Sequence, residues 1–235
     1  MSEGDKFRYE LKYLCSETQL EIIKYRLMNI LSFDHHTVDG QYVVRSIYFD
    51  NYENRCYFEN ENGTDPREKF RIRIYNADDK RISLECKRKE KGKTHKESCL
   101  ITKDDYHCIM NGLSLDVLQY KSGLLKELIM LIKQEMFRPV VIVEYDRTPY
   151  VYPVGNVRIT LDKNIRSSMD LKDFFAPNIS TRPILPTGQH LLEVKYDELL
   201  PDYIKEVLQL DDLSRTAFSK YYLCRKFSLG GYYEY

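Results

Sequence analysis

Residues 69–96 read KFRIRIYNADDKRISLECKRKEKGKTHK, and their alternation decides how the rest of the chain is read. Side chains change face at every residue of a β-strand. Lys69, Arg71 and Arg73 therefore share one face, with Phe70, Ile72 and Ile74 on the other. The next strand repeats the device, with Glu85, Lys87 and Lys89 opposite Leu84 and Cys86, and after Gly92 a third pass brings in Lys96. The stretch holds eleven Lys/Arg against four Asp/Glu, whereas the whole chain has 36 of each and a net charge of zero. The basic residues are segregated, not abundant. One such strand is ordinarily a solvated face of a half-exposed sheet. Consecutive cationic strands repel unless something anionic sits among them, which points to an anion-binding surface, most economically one for phosphate.

A length of 235 residues with 43% hydrophobic content is enough for a real core. No Pro/Gly/Ser linker, low-complexity tract or internal repeat divides the chain, so a single domain over 1–235 is expected. The amino-terminal MSEGDKFRYELKY has no apolar signal-peptide core. The apolar run at 124–132 is broken by Lys126 and Glu127 and is too short to span a bilayer. Six cysteines without a CxxC pair read as reduced, mostly buried thiols of a cytosolic protein, not as a disulfide frame or zinc site. Neutral net charge argues against nucleic acid as a partner.

Along the chain, FRYELKY reads as a first strand. Ser16 and Gln19 match a capping box for a helix that carries Leu20, Ile23, Leu27 and Ile30 to about Leu31. The His35-His36 pair has no third metal ligand at helical or hairpin spacing and is given no role. YVVRSIYF (42–49) is a confident strand, and 50–63 holds a short helix or extended piece. Thr102 caps a helix that stops at Asn111-Gly112. A longer helix covers Leu124 to Met136. Pro139–Arg147 and Val157–Asp162 read as an antiparallel pair turning near Val154-Gly155-Asn156, with Arg158, Thr160 and Asp162 on one face. Residues 166–187 look irregular. HLLEVKY (190–196) is a further strand with Leu191, Glu193 and Lys195 on one face. Helices are expected from Pro201 to Leu210 and from Thr216 to Phe227. The count is about eight strands, mostly antiparallel, with helices flanking them.

In a closed or strongly curved sheet, Lys12, Arg71, Arg73, Lys87, Lys96 and Arg158 can all point to one interior, with Glu10, Glu85, Asp162 and Glu193 among them. Such an interior cannot stay unpaired. A polyphosphate chain with a divalent metal on a carboxylate satisfies both signs, and phosphoryl transfer requires little beyond positioning, cations and a metal. No P-loop or kinase signature is present.

RYELKY, KFRIRIY, LECKRKEKG followed by KTHKE, EYDRTPY, VRITLD, LLEVKY and the late FSKYY occur in the order expected of the VTC domain. The chain thus resembles the polyphosphate polymerase domain of the triphosphate tunnel metalloenzyme superfamily, in its bacterial-type stand-alone form. The resemblance implies an α+β fold in which an antiparallel β-barrel tunnel of about eight strands holds the phosphate chain. It implies transfer of the γ-phosphate of ATP to growing inorganic polyphosphate, with Mn²⁺ (or Mg²⁺). By motif, Lys12 would contact phosphate from the first strand, and Arg71 and Arg73 would grip the nucleotide's phosphates. Lys87 and Lys96 would line the same wall, and Arg147 and Arg158 would clamp from the opposite side. Glu193 would be the metal ligand, with Ser219 and Lys220 contacting the chain from the final helix. The expected location is cytoplasmic, or at the inner face of the membrane through a partner protein.

The chain departs from the family at Ala217, where members often carry Lys, and Arg215 lies two residues before it. The ExExK pattern of hydrolytic relatives is here Arg8-x-Glu10-x-Lys12, a cation in place of a carboxylate, which favours the polymerase branch. Glu144 and Arg147 fall on opposite faces of an unbulged strand, so one of them lies outside the site, and the motif keeps Arg147 and leaves Glu144 out. Two alternatives stand beside polymerase. One is a tripolyphosphate or nucleoside triphosphate hydrolase of the same superfamily, and the other is a non-catalytic domain binding polyphosphate or inositol phosphates.

Overall fold

The period-two pattern of charged and apolar residues is realised as strands with one charged and one buried face in the computed structural model of the chain. The structure describes residues 9–34, 37, 40–91, 93–112, 120–208 and 213–230. Arg8, His35, His36 and the last residues expected of the helix after Pro201 lie outside them. The chain begins β1 (Tyr9–Ser16), α1 (Glu17–Met28), β2 (Ser32–Phe33), β3 (Tyr42–Asp50) and α2 (Arg55–Glu61). It continues through β4 (Arg67–Tyr75), β5 (Asp78–Glu90), β6 (Lys93–Ile101), α3 (Lys103–Met110) and α4 (Gly123–Glu135). It ends with β7 (Arg138–Tyr152), β8 (Val157–Ser168), β9 (Arg182–Pro183), β10 (Gln189–Tyr196), α5 (Asp202–Leu208) and α6 (Lys220–Ser228). Eight of these ten strands are longer than two residues, and the strand registers are antiparallel. This is the expected class, antiparallel strands with flanking helices.

Two units can be distinguished. The first comprises Met1–Val43, Tyr145–Ile165 and Leu185–Ser219, and the second Val44–Glu144, Arg166–Ile184 and Lys220–Tyr235. In the first, β10 lies between β1 and β8. Tyr13 and Cys15 of β1, Ile159 and Leu161 of β8, and Leu192 and Val194 of β10 turn to one side and are buried. Helices α1, through Leu20, Ile23 and Leu27, and α5, through Ile204 and Leu208, belong to the same core cluster. Burying each such side chain is worth roughly 1.5–3 kcal/mol. The capping box is present as read: Ser16 Oγ accepts from the Gln19 amide at 3.2 Å, and Gln19 Oε1 accepts from the Ser16 amide at 2.8 Å. The helix stops at Met28, three residues before the expected end, because Asn29, Ile30 and Leu31 only turn back on the carbonyls of Arg26 and Leu27. At the turn after β7, Gly155 has φ +71, and a Cβ there would stand 2.7 Å from the Leu199 carbonyl oxygen. Only glycine fits that approach.

In the second unit the order is β3-β4-β5-β6. Ile47, Phe49, Phe70, Ile72, Ile74 and Leu84 are buried, and α4 packs on β5 and β6. Asp50, fully buried at the end of β3, accepts from the amides of Cys56 and Tyr57 at 2.8 and 3.2 Å and so caps α2. Residues 166–187 are less irregular than expected, since β8 runs on to Ser168 and pairs with β9.

One helix boundary differs in a way that affects the site. Residues 216–219 are not helical, because the Thr216 amide donates to the Lys12 carbonyl at 2.9 Å and Arg215 bridges Tyr13. The segment runs extended beside β1 instead, and α6 begins at Lys220.

Candidate functional site

The charged faces carry two sets of candidate residues, one in each unit. In the second unit, Arg71 stands opposite Glu85 in register, Lys69 opposite Lys87, and Lys87 opposite Lys96 on the next strand. Glu85 is 4% exposed. It receives Arg71 Nε at 2.7 Å and Arg71 NH2 at 2.6 Å on one oxygen. Lys96 Nζ reaches its other oxygen at 2.8 Å, and Arg73 NH1 approaches to 3.7 Å. Burial alone would push the Glu85 carboxyl up, but Arg71, Arg73 and Lys96 hold it far below the usual carboxylate range. Burial lowers the Lys96 ammonium, and Arg71 and Arg73 add to that against the opposing pull of Glu85.

Two hydroxyls steady the guanidinium groups. Arg71 NH1 donates to Tyr48 Oη at 2.8 Å, and Arg73 Nε donates to Ser46 Oγ at 3.1 Å. Neither Tyr48 nor Ser46 was expected in the site. Both share the face of Arg71 and Arg73 by register, Ser46 with Arg73 and Tyr48 with Arg71. The period-two signal in YVVRSIYF places them together, but neither carries a charge to draw notice. Lys220 opens α6 in this unit, beside Tyr221, whose ring lies 5.5 Å from Lys69 Nζ. Glu144, left out of the site, is buried with Arg45 and with Arg166, whose NH2 lies at 2.7 Å. Arg45 also donates to the carbonyls of Phe174 and Ala176, each at 2.7 Å.

In the first unit, β1, β10 and β8 present a grid of side chains. Lys12, Glu193 and Thr160 form one row in register, and Glu10, Lys195 and Arg158 the next. Glu193 is 5% exposed and takes Lys195 Nζ at 2.5 Å. Lys12 Nζ reaches Glu10 at 3.0 Å and the Phe218 carbonyl at 2.9 Å. Arg158 NH2 is held by Asp34 at 3.1 Å and donates to Tyr42 Oη at 3.3 Å. Arg147 forms a two-point bond with Asp162, Nε at 2.7 Å and NH2 at 2.8 Å. Burial opposes the Arg147 charge, but Asp162 outweighs it and raises the guanidinium further above its ordinary range. Ser219 follows Phe218 in the extended segment that lies along β1 and is not part of the helix expected to carry it.

Among the described residues no three His, Cys, Asp or Glu side chains gather into a ready-made metal cage. A single buried carboxylate still suits Mg²⁺ or Mn²⁺, which are held by one or two carboxylates with substrate phosphates and water completing the shell. Glu193, Glu85 and Asp162 are buried carboxylates on these faces that could each supply such a donor. The cysteines are free thiols, four of them buried, and no helix among the described residues is long and apolar enough to cross a membrane.

Antiparallel strands whose polar faces carry Arg and Lys around single carboxylates, with helices flanking them, make up this fold. Two solved structures share it. A Bacillus halodurans protein described as a candidate adenylate cyclase is 14% identical with a TM-score of 0.51, the match covering 91% of this chain and 94% of that one. The PH1819 protein of Pyrococcus horikoshii is 16% identical with a TM-score of 0.50, covering 94% and 99%. At these identities the likeness speaks for the fold alone. No protein of curated function matches the chain. The VTC domain family matches residues 7–228, and the chain belongs to that family.

Proposed function

We propose that this protein is a metal-dependent polyphosphate polymerase that moves the γ-phosphate of ATP onto a growing inorganic polyphosphate chain. The observation that carries this reading is the setting of Glu85, with two guanidinium groups and an ammonium converging on one buried carboxylate. So placed, Glu85 stays anionic and takes up no proton near neutrality. Asp162 is likewise engaged by both ends of the Arg147 fork. A general base speeds attack by water, whereas the terminal phosphate of a polyphosphate is already an anionic nucleophile. A site rich in cations suits an anionic acceptor, the terminal phosphate of the chain.

In this reading Arg71, Arg73, Lys87 and Lys96 bind the phosphates of the nucleotide. Lys12, Arg147 and Arg158, with Ser219 and Lys220, contact phosphate of the chain. Glu193 holds the divalent ion, Mn²⁺ or Mg²⁺, which when bound neutralises charge on the phosphate oxygens. Donors fixed in advance by Tyr48, Ser46, Asp34 and Tyr42 lose little freedom when they engage phosphate. The reading goes with a cytoplasmic protein acting as a single domain over 1–235.

The test is an incubation of the purified protein with γ-labelled ATP and Mn²⁺, resolved on a gel beside Arg71→Ala and Glu193→Ala. A ladder of labelled polymer, lost in both variants, is the expected result. Labelled orthophosphate without polymer would assign the chain to the hydrolase branch. Retention on a polyphosphate column without turnover would leave a binding domain.

A further inference from the structure

Thr160 sits in the middle of β8 at 3% exposure, and its hydroxyl has no hydrogen-bond partner among the described residues. Its flanking residues Ile159 and Leu161 point to the buried core of the first unit, so Thr160 lies on the polar face, in register with Glu193 on β10. A strand favours a β-branched residue here, and Val would serve it as well as Thr without burying a hydroxyl. Burying an unsatisfied hydroxyl is unfavourable, and native structures rarely tolerate it without a reason.

A second orphan lies beside it. The Nε–H of Arg158 is also buried without a partner among the described residues, while the far side of the same guanidinium is fixed by Asp34 and Tyr42. Residues two apart on one strand face are roughly 7 Å apart. Two oxygens of a single phosphate group, each accepting a hydrogen bond of about 2.8 Å, can bridge that span.

We infer that Thr160 is a phosphate-binding residue, its hydroxyl and the Arg158 Nε–H forming a two-donor subsite on β8 beside Glu193. The inference rests on the polyphosphate reading above and deepens it by adding a second neutral donor, after Ser219, to a site built mostly from charges. A neutral donor recognises a phosphate oxygen without adding repulsion to neighbouring cations, and its contribution resists salt better than theirs.

Binding of inorganic tripolyphosphate, measured by calorimetry in the presence of chelator, tests it on the wild type, Thr160→Val and Thr160→Ser. Thr160→Val should weaken binding about tenfold, the size of one hydrogen bond to a charged group, and Thr160→Ser should stay within about twofold of wild type. Thr160→Val should melt no lower than wild type, because it removes an unsatisfied buried hydroxyl. Equal binding by wild type and Thr160→Val would overturn the subsite and leave the polymerase reading intact. Weakened binding that comes with a lowered melting temperature, unrelieved by Thr160→Ser, would overturn it in favour of a structural role. Absence of binding by the wild type would overturn both. A Thr160-dependent tripolyphosphate affinity in a protein that forms no polymer would sustain the subsite while ending the polymerase reading.

Discussion

Lys12 and Glu193 stand directly opposite one another on β1 and β10, and each is already held by a further partner. The Lys12 ammonium is fixed by Glu10 and the Phe218 carbonyl, and the Glu193 carboxylate by Lys195. A cation and a carboxylate are thus positioned side by side. This is the arrangement needed if one is to meet a phosphate oxygen and the other the metal on it.

Glu193→Gln separates these roles, because it keeps the size of the side chain and removes its charge. Mn²⁺-dependent turnover should fall about a hundredfold or more. Tripolyphosphate binding in chelator should persist or tighten, since a negative charge has been taken away. Titrating Mn²⁺ against turnover and calorimetric binding in parallel checks both. Unchanged turnover at every metal concentration would remove Glu193 from the metal site.

Glu85 organises three cations, so Glu85→Gln should destabilise the fold by about 3 kcal/mol at neutral pH, the scale for removing one member of a buried pair. The sign of its pH dependence follows from the direction of the shift. The carboxyl is held below its unfolded value of about 4.3, so its contribution is complete above that pH and fades as pH falls through the folded value. Urea unfolding of wild type and variant should therefore show a constant gap from about pH 5 to 8 that narrows below about pH 4. A gap that stays flat into acid would show that Glu85 is not the group held down by its neighbours.

Much of this cluster was legible because strand parity is a local property. Lys69, Arg71 and Arg73 alternate with apolar residues, Glu85 and Lys87 do the same one turn later, and the short connection leaves little choice of register. Arg45 was not legible. It lies in YVVRSIYF, a run that reads as a core strand, and it turns to the apolar face at 2% exposure. What makes that tolerable is Glu144 and the carbonyls of Phe174 and Ala176, which lie 99, 129 and 131 residues away. The start of α6 was misread for the same reason. Thr216 to Ser219 have helical neighbours in sequence, but the bond from Thr216 to Lys12 spans the chain. Partners this distant leave no trace in a local period.

Tyr48 offers a milder test of how far the guanidinium groups are fixed in advance. Tyr48→Phe removes the acceptor of Arg71 NH1 and leaves the ring that lies 5.1 Å from Tyr221. The loss should be about 1 kcal/mol, read as a roughly fivefold rise in KM for ATP with kcat unchanged. A fall in kcat with KM unchanged would mean that Arg71 acts on the transition state and not on the bound nucleotide.

Ala217 is exposed in the extended segment beside β1, and its neighbour Thr216 makes the backbone bond to Lys12. A side chain added at 217 therefore leaves that bond in place, and Ala217→Lys should fold as the wild type does. Members of the family often carry Lys at this position, and here the substitution adds one cation next to Phe218, whose carbonyl holds Lys12. Polyphosphate affinity should rise at low ionic strength, and the dependence of log K on log salt should steepen by about one unit for one more neutralised phosphate. Fluorescence titrations of a labelled polyphosphate at several salt concentrations measure both. Affinity unchanged at the lowest salt would place residue 217 away from the phosphate chain, and Lys12, Ser219 and Lys220 would then be the contacts left to test along this segment.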